Sequence, residues 1–124
     1  MRKTAWLASI LLLATLPILG GKPPGPASVK IAEAAKKQPP VAFPHEKHQK
    51  SVKTCDVCHH TDKGLTLTSK TEVKKCAECH LDPKDNAPSI REMSLTKNPY
   101  HKVCVTCHKE QKKGPTACAG CHKK

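Results

Sequence analysis

The stretch Cys55-Asp-Val-Cys58-His59 is the first of four Cys-x-x-Cys-His motifs in the last 70 residues of this 124-residue chain. The others are Cys76–His80, Cys104–His108 and Cys118–His122. This spacing is the attachment signature of a c-type haem, whose vinyl groups form thioethers with the two thiols while the histidine binds the iron. Four matches predict four covalent haem c groups. The predicted attachment residues are Cys55, Cys58, Cys76, Cys79, Cys104, Cys107, Cys118 and Cys121.

The histidine count predicts how the irons are coordinated. Four six-coordinate irons need eight axial ligands, and the chain has eight histidines. Met93 is the only competing ligand, and we interpret it as packing because no motif is near it. Bis-histidine ligation leaves no open iron site and lacks the potential-raising effect of methionine, which favours a low-potential electron carrier over a catalyst. The predicted ligands are His45, His48, His59, His60, His80, His101, His108 and His122.

The spacing of the histidines predicts a compact cluster. Adjacent Cα atoms are about 3.8 Å apart, and with about 6.5 Å from each Cα to iron, the irons held by His59 and His60 lie at most about 17 Å apart. His45 and His48 are three residues apart, so in a helical turn they share a face and reach neighbouring haems.

The N-terminal residues predict export. Arg2 and Lys3 precede an apolar run over residues 5–19, which is typical of a secretory signal and short for a membrane span. We assign residues 1–21 to the signal, with cleavage between residues 20 and 35, residues 22–40 to a proline-rich linker and residues 41–124 to the haem domain. An uncleaved anchor is the alternative. Export predicts a periplasmic protein with no stable membrane insertion after cleavage.

The rest of the chain predicts a small, mostly coil fold with a few short α-helices and one short β-hairpin around a compact four-haem cluster. Residues 46–50 favour one or two helical turns. The best helix candidate is Tyr100–Lys113, ended by Gly114-Pro115. Ser89–Leu95 predicts a brief helix, and the weak alternation of Leu65–Thr68 predicts a strand or hairpin arm. Because aromatic residues are only 2% of the chain, the porphyrins would supply most of the core.

Two stretches carry a resemblance to a known family. Val41-Ala-Phe-Pro-His45-Glu-Lys-His48 with Ser51-Val-Lys-Thr-Cys55-Asp-Val-Cys58-His59-His60 resembles the opening of cytochrome c3, the tetrahaem class III c-type cytochrome. The end of the chain, from His101 to His122, is similar to the trihaem cytochrome c7 group. The resemblance implies the multihaem class III fold. Many cytochromes c3 use a longer Cys-x4-Cys-His spacing for two haems, whereas here all four motifs have two intervening residues.

The resemblance also implies which histidines share an iron. The implied pairs are His45 with His59, His60 with His80, His48 with His108, and His101 with His122.

The charge of the chain bears on its partners. The formal charge is +12, of which Arg2 and Lys3 contribute two units. Four oxidised haems add about −1 each through their propionates, so the exported holoprotein stays basic. A lysine cluster around the last motif predicts an acidic redox partner. The resemblance implies periplasmic hydrogenase or formate dehydrogenase and membrane-bound redox complexes. The cluster comprises Lys109, Lys112, Lys113, Lys123 and Lys124.

Other functions are less consistent with the residues. An outer-sphere reductase of metal ions or sulfur species remains an alternative, since it needs only an exposed low-potential haem. Zinc sites and four disulfides could also use the cysteines, but neither requires a histidine after every second cysteine. Nucleic-acid binding is disfavoured because the chain has too few aromatic residues to stack on bases.

Overall fold

The computed structural model describes residues 25–34, 37–52 and 54–124. The predicted signal sequence lies outside these ranges. The described part consists mostly of turns and coil, as the sequence predicts, around one two-stranded sheet and four short α-helices. The elements are β1 (Val29–Ile31), β2 (Val41–Phe43), α1 (His45–Ser51), a 3₁₀ turn (Cys55–Val57), α2 (Cys76–His80), α3 (Pro99–Glu110) and α4 (Cys118–Cys121).

The sheet pairs a strand from the predicted linker, β1, with a strand at the start of the predicted haem domain, β2. Strands β1 and β2 are antiparallel, with Val29 opposite Phe43 and Ile31 opposite Val41. These four side chains are half-buried, while the middle residue of each strand points to solvent. Alternation of this kind fits a sheet with one covered face. Residues 29–31 are therefore part of the folded structure, paired with the strand that precedes His45 and His48.

Helix α3 forms where the sequence predicts the longest helix. Asn98 caps its first turn by accepting hydrogen bonds from the backbone N–H groups of Tyr100 and His101, and Pro99 occupies the first helical position. The helix ends at Glu110, a little before the predicted Lys113. Lys112 and Gly114 then adopt positive φ angles of 51° and 84°, which stop helical propagation.

Two predicted elements are wrong for a common reason. Residues 65–68 form a turn rather than a strand, because the Thr66 N–H donates to Ser69 Oγ at 2.9 Å and the Ser69 N–H donates to the Thr66 carbonyl at 3.1 Å. Ser89–Leu95 is not a helix either. The Asn98 side-chain amide donates hydrogen bonds to the carbonyls of Ile90 and Glu92. In a helix these carbonyls would instead accept hydrogen bonds from backbone N–H groups further along the helix. In both places, hydrogen bonds to side chains take the place of the backbone hydrogen bonds that a strand or a helix would make.

The described residues contain very little apolar core. Leu65 and Ile90 are the only buried apolar side chains among them, and none is less than 2% exposed. Polypeptide packing alone is therefore a weak source of stability here. None of the helices in the described part of the chain is long and apolar enough to cross a membrane.

Candidate functional site

Each Cys-x-x-Cys-His motif lies on or begins a helical element. The first starts the 3₁₀ turn, the second coincides with α2, the third lies within α3, and the fourth comprises α4 and the residue after it. Positions i, i+3 and i+4 share one face of a helix, so helical geometry turns both thiols and the histidine of a motif toward the same side. None of the eight cysteines is joined to another in a disulfide.

The eight histidines meet as four pairs, each formed by one motif histidine and one histidine outside the motifs. They are the same four pairs that the family resemblance implies. The ring centroids are 6.3 Å apart for His45 and His59, 6.0 Å for His60 and His80, 6.1 Å for His48 and His108, and 6.3 Å for His101 and His122.

This spacing fits one metal ion between two imidazoles. A metal–imidazole bond is about 2.0–2.1 Å long and the ring centre lies about 1.1 Å beyond the nitrogen, so two rings on opposite sides of one ion have centres about 6.3 Å apart. Rings in direct stacking contact would be closer than this, as Phe43 and His48 are at 4.4 Å. The pairs therefore have room for an iron but not for a further side chain.

Backbone carbonyls orient six of the eight imidazoles. In each case the ring Nδ1 lies 2.6–3.2 Å from a carbonyl oxygen. A carbonyl only accepts, so Nδ1 carries the proton and the lone pair is on Nε2, where a metal can bind. The acceptors are Pro26 for His45, Pro44 for His48, Pro88 for His80, Ser94 for His101, Pro115 for His108 and Pro39 for His122.

Burial keeps several site groups neutral. It lowers the pKa of His59, and the neighbouring His45 lowers it further, so the neutral imidazole that binds metals is favoured. Burial likewise raises the pKa of the Cys104 thiol to about 11, with Cys58 as the next contributor. The pKa of Cys58 is also raised, first by burial and then by Cys76. The thiols that raise the pKa of Cys104 include Cys58, Cys121 and Cys76, so this cysteine lies near cysteines of the other three motifs.

A cavity of about 900 Å³ adjoins the His60–His80 pair. A face of α3 that includes Val103 lines the cavity, and so does Pro88. This volume is in the range of ligand pockets, and the mainly apolar walls suit a porphyrin face. Pro39 and His122 are among the residues that line a second cavity of about 440 Å³.

Short covalent links connect the four pairs. His59 and His60 are neighbours in sequence but belong to different pairs. Helix α1 carries one histidine from each of two pairs, His45 and His48. Helix α3 carries His101 and His108, which are seven residues, or about 10.5 Å of helical rise, apart. Every pair is thus joined to another by a rigid element or a peptide bond.

Sequence reasoning missed the residues that hold the histidines. The five proline carbonyls and Asn98 were not singled out, although an asparagine directly before a proline at a helix start is a recognisable cap. The described residues contain no group of three or more His, Cys, Asp or Glu side chains that could hold a metal ion by themselves.

Comparison with known proteins identifies the family. A model of the class III cytochrome c family matches residues 24–122. Cytochrome c3 from Desulfovibrio desulfuricans is 34% identical over 99 residues, which cover 80% of this chain and 88% of that protein. Cytochrome c7 from Geobacter metallireducens is 37% identical over 84 residues, covering 68% of this chain and 64% of that protein.

A larger protein also contains a similar region. The nine-haem cytochrome c of Desulfovibrio desulfuricans is 35% identical over 86 residues, which are 67% of this chain but 26% of that protein. The chain thus spans about a quarter of one relative and most of another. With the four-pair geometry, the family match over residues 24–122 shows that this chain belongs to the class III cytochrome c family, as a multihaem electron-transfer protein with covalently bound haem c.

Proposed function

We propose that this chain binds four haem c groups, one at each Cys-x-x-Cys-His motif, and that each iron has two histidine ligands. The observation that carries the proposal is the set of four imidazole pairs at 6.0–6.3 Å. Each pair contains one motif histidine, so each motif accounts for one pair. The six hydrogen bonds from Nδ1 to carbonyls also support histidine ligation of the irons, because they leave Nε2 free to bind iron.

Closed coordination makes the protein a carrier rather than a catalyst. Bound haem would supply one-electron redox chemistry, with a low potential expected for two imidazole ligands. Two histidines at each bound iron would leave no site for oxygen, peroxide or other small ligands. The links through His59-His60, α1 and α3 hold neighbouring sites at short fixed distances. Electrons would therefore pass between sites within one molecule.

We further propose that the protein works in the periplasm and receives electrons from hydrogenase or formate dehydrogenase for delivery to membrane redox complexes. The basic composition and the five lysines of the cluster, all exposed, support an acidic docking partner. Long-range attraction between such surfaces raises the association rate at low salt and is screened at high salt.

Two measurements on the exported protein test the haem proposal. A pyridine haemochrome spectrum together with the intact mass gives the number of covalent haems, and we expect four. Electron paramagnetic resonance of the oxidised protein is expected to show low-spin iron throughout. Fewer than four haems, or a substantial high-spin signal in the native protein, would contradict the proposed coordination.

A separate measurement tests the docking proposal. We expect electron transfer from a periplasmic hydrogenase to slow with increasing ionic strength, and to slow at low salt when Lys112 and Lys113 are changed to Glu. Lys47 is also exposed but lies outside the cluster, on α1, so Lys47→Glu is the control. Equal effects per substituted lysine at the two places would argue against docking at this surface.

A further inference from the structure

Two Gly-Pro dipeptides contact histidines of two different pairs. Gly25-Pro26 and Gly114-Pro115 are the only such dipeptides in the chain. Pro26 accepts a hydrogen bond from His45 Nδ1 at 2.8 Å, and Pro115 accepts one from His108 Nδ1 at 2.6 Å. The first contact bridges 19 residues and the second seven. The same dipeptide thus meets a histidine in the same way near each end of the chain.

In both dipeptides the glycine lies against the ring whose nitrogen the proline binds. A Cβ on Gly25 would lie 3.1 Å from His45 Cε1. A Cβ on Gly114 would lie 2.8 Å from His108 Cδ2 and Nε2 and 2.9 Å from Cε1. These distances to three ring atoms place the Cβ over the face of the imidazole, beside the nitrogen that would bind iron. Any side chain at this position would push the ring away.

Both glycines also have backbone angles that other residues rarely adopt. The φ angle is 86° at Gly25 and 84° at Gly114. Glycine alone reaches this region without a steric cost. The following proline has a fixed φ, which limits the conformations of the segment that carries the carbonyl. The pair of residues therefore brings a carbonyl to Nδ1 while keeping the space beside the ring free.

The fourth motif holds the second dipeptide in place. A Cβ on Gly120 would lie 2.6 Å from Pro115 Cβ, so Gly120 packs closely on the proline ring. Gly120 is in α4, between Cys118 and Cys121. Pro115 therefore lies between the fourth motif and the histidine of the third motif.

We propose that Gly25-Pro26 and Gly114-Pro115 are positioning residues that set the rotation and the proton location of His45 and His108 as axial ligands. The inference rests on the proposed function, because it concerns histidines that would bind iron. Each glycine acts by leaving space for the ring, and each proline carbonyl acts by holding the Nδ1 proton. Substitution of one glycine should therefore perturb one haem and leave the others unchanged.

Gly114→Ala is the main test, and Gly64→Ala is its matched control. Gly64 has a φ of 77°, so alanine there meets similar backbone strain, but no atom lies within 4 Å of its Cβ position. In Gly114→Ala we expect one low-spin haem to become high-spin or to shift in potential, namely the haem paired with His48 and His108. In Gly64→Ala we expect all potentials and paramagnetic resonance signals to match those of the wild type.

Gly25→Ala provides a milder second test, because its Cβ position is 3.1 Å from the ring rather than 2.8 Å. We expect a smaller shift, confined to the haem of His45 and His59, and this variant decides the question if Gly114→Ala yields no holoprotein. The inference is overturned if the tested glycine variants match Gly64→Ala in spectra and potentials. A wild-type protein without four low-spin haems would instead overturn the proposed function itself.

Discussion

Replacement of Asn98 by alanine should destabilise the protein more than any other single change at a helix cap. Asn98 is 5% exposed and its side chain makes four hydrogen bonds. The amide donates to the carbonyls of Ile90 and Glu92 at 2.8 and 2.7 Å. The carbonyl oxygen accepts from the N–H groups of Tyr100 and His101 at 2.9 and 3.3 Å. Asn98 thus connects the 90–94 segment to the first turn of α3.

The expected cost follows from these bonds. Loss of the helix cap costs about 1 kcal/mol. Each of the two carbonyls that loses the Asn98 amide as its donor adds about 1 kcal/mol or more. Asn98→Ala should therefore lower the free energy of unfolding by about 2–4 kcal/mol. Asn98→Ser keeps a cap acceptor but cannot reach both carbonyls, so its cost should be about 1–2 kcal/mol. His101 Nδ1 lies 3.2 Å from the Ser94 carbonyl in the same segment, so the signal of its haem should also broaden or shift.

Guanidinium unfolding of the oxidised holoprotein, followed by far-UV circular dichroism, measures these differences. Ser51→Ala is the control, since it removes one exposed hydrogen bond to the Lys47 carbonyl and should change stability by no more than about 0.5 kcal/mol. A cost of less than about 1 kcal/mol for Asn98→Ala, or an equal cost for Asn98→Ser and Asn98→Ala, would contradict the assigned role of these four hydrogen bonds.

Two further outcomes are expected. The exported chain with all eight cysteines changed to serine should lack cooperative unfolding by circular dichroism, because only Leu65 and Ile90 are buried apolar side chains in the described residues; a sharp thermal transition would contradict this. Arg91→Ala should change the free energy of unfolding by less than about 1 kcal/mol, because the Arg91–Asp82 ion pair is largely exposed; a loss measured by guanidinium unfolding that approached that of Asn98→Ala would show that the pair has a structural role.

The sequence predicts the chemistry of this protein better than its secondary structure. Motif spacing and the histidine count name the candidate attachment cysteines and the candidate ligands, whereas the pairing of the histidines is implied only by the family resemblance. Pairing depends on contacts as distant as His48 with His108, which no local pattern encodes. Helix α3 was predictable because it has a cap and a terminating glycine. Strand β1 is not predictable, because three residues give too short a pattern and its partners lie 10 to 14 residues further along the chain.

The sequence order of the four histidine pairs separates one site from the rest. The pairs 45/59, 48/108 and 101/122 are interleaved, because His48 lies within the span of the first pair and His101 lies within the span of the second. The pair 60/80 is nested: both its histidines and both its cysteines fall within 21 consecutive residues. Removal of residues 60–80 would leave both histidines of each of the other three pairs in place. Removal of the span of any interleaved pair would also remove a histidine of a second pair. The fold can therefore change its number of redox sites by gaining or losing a single contiguous segment.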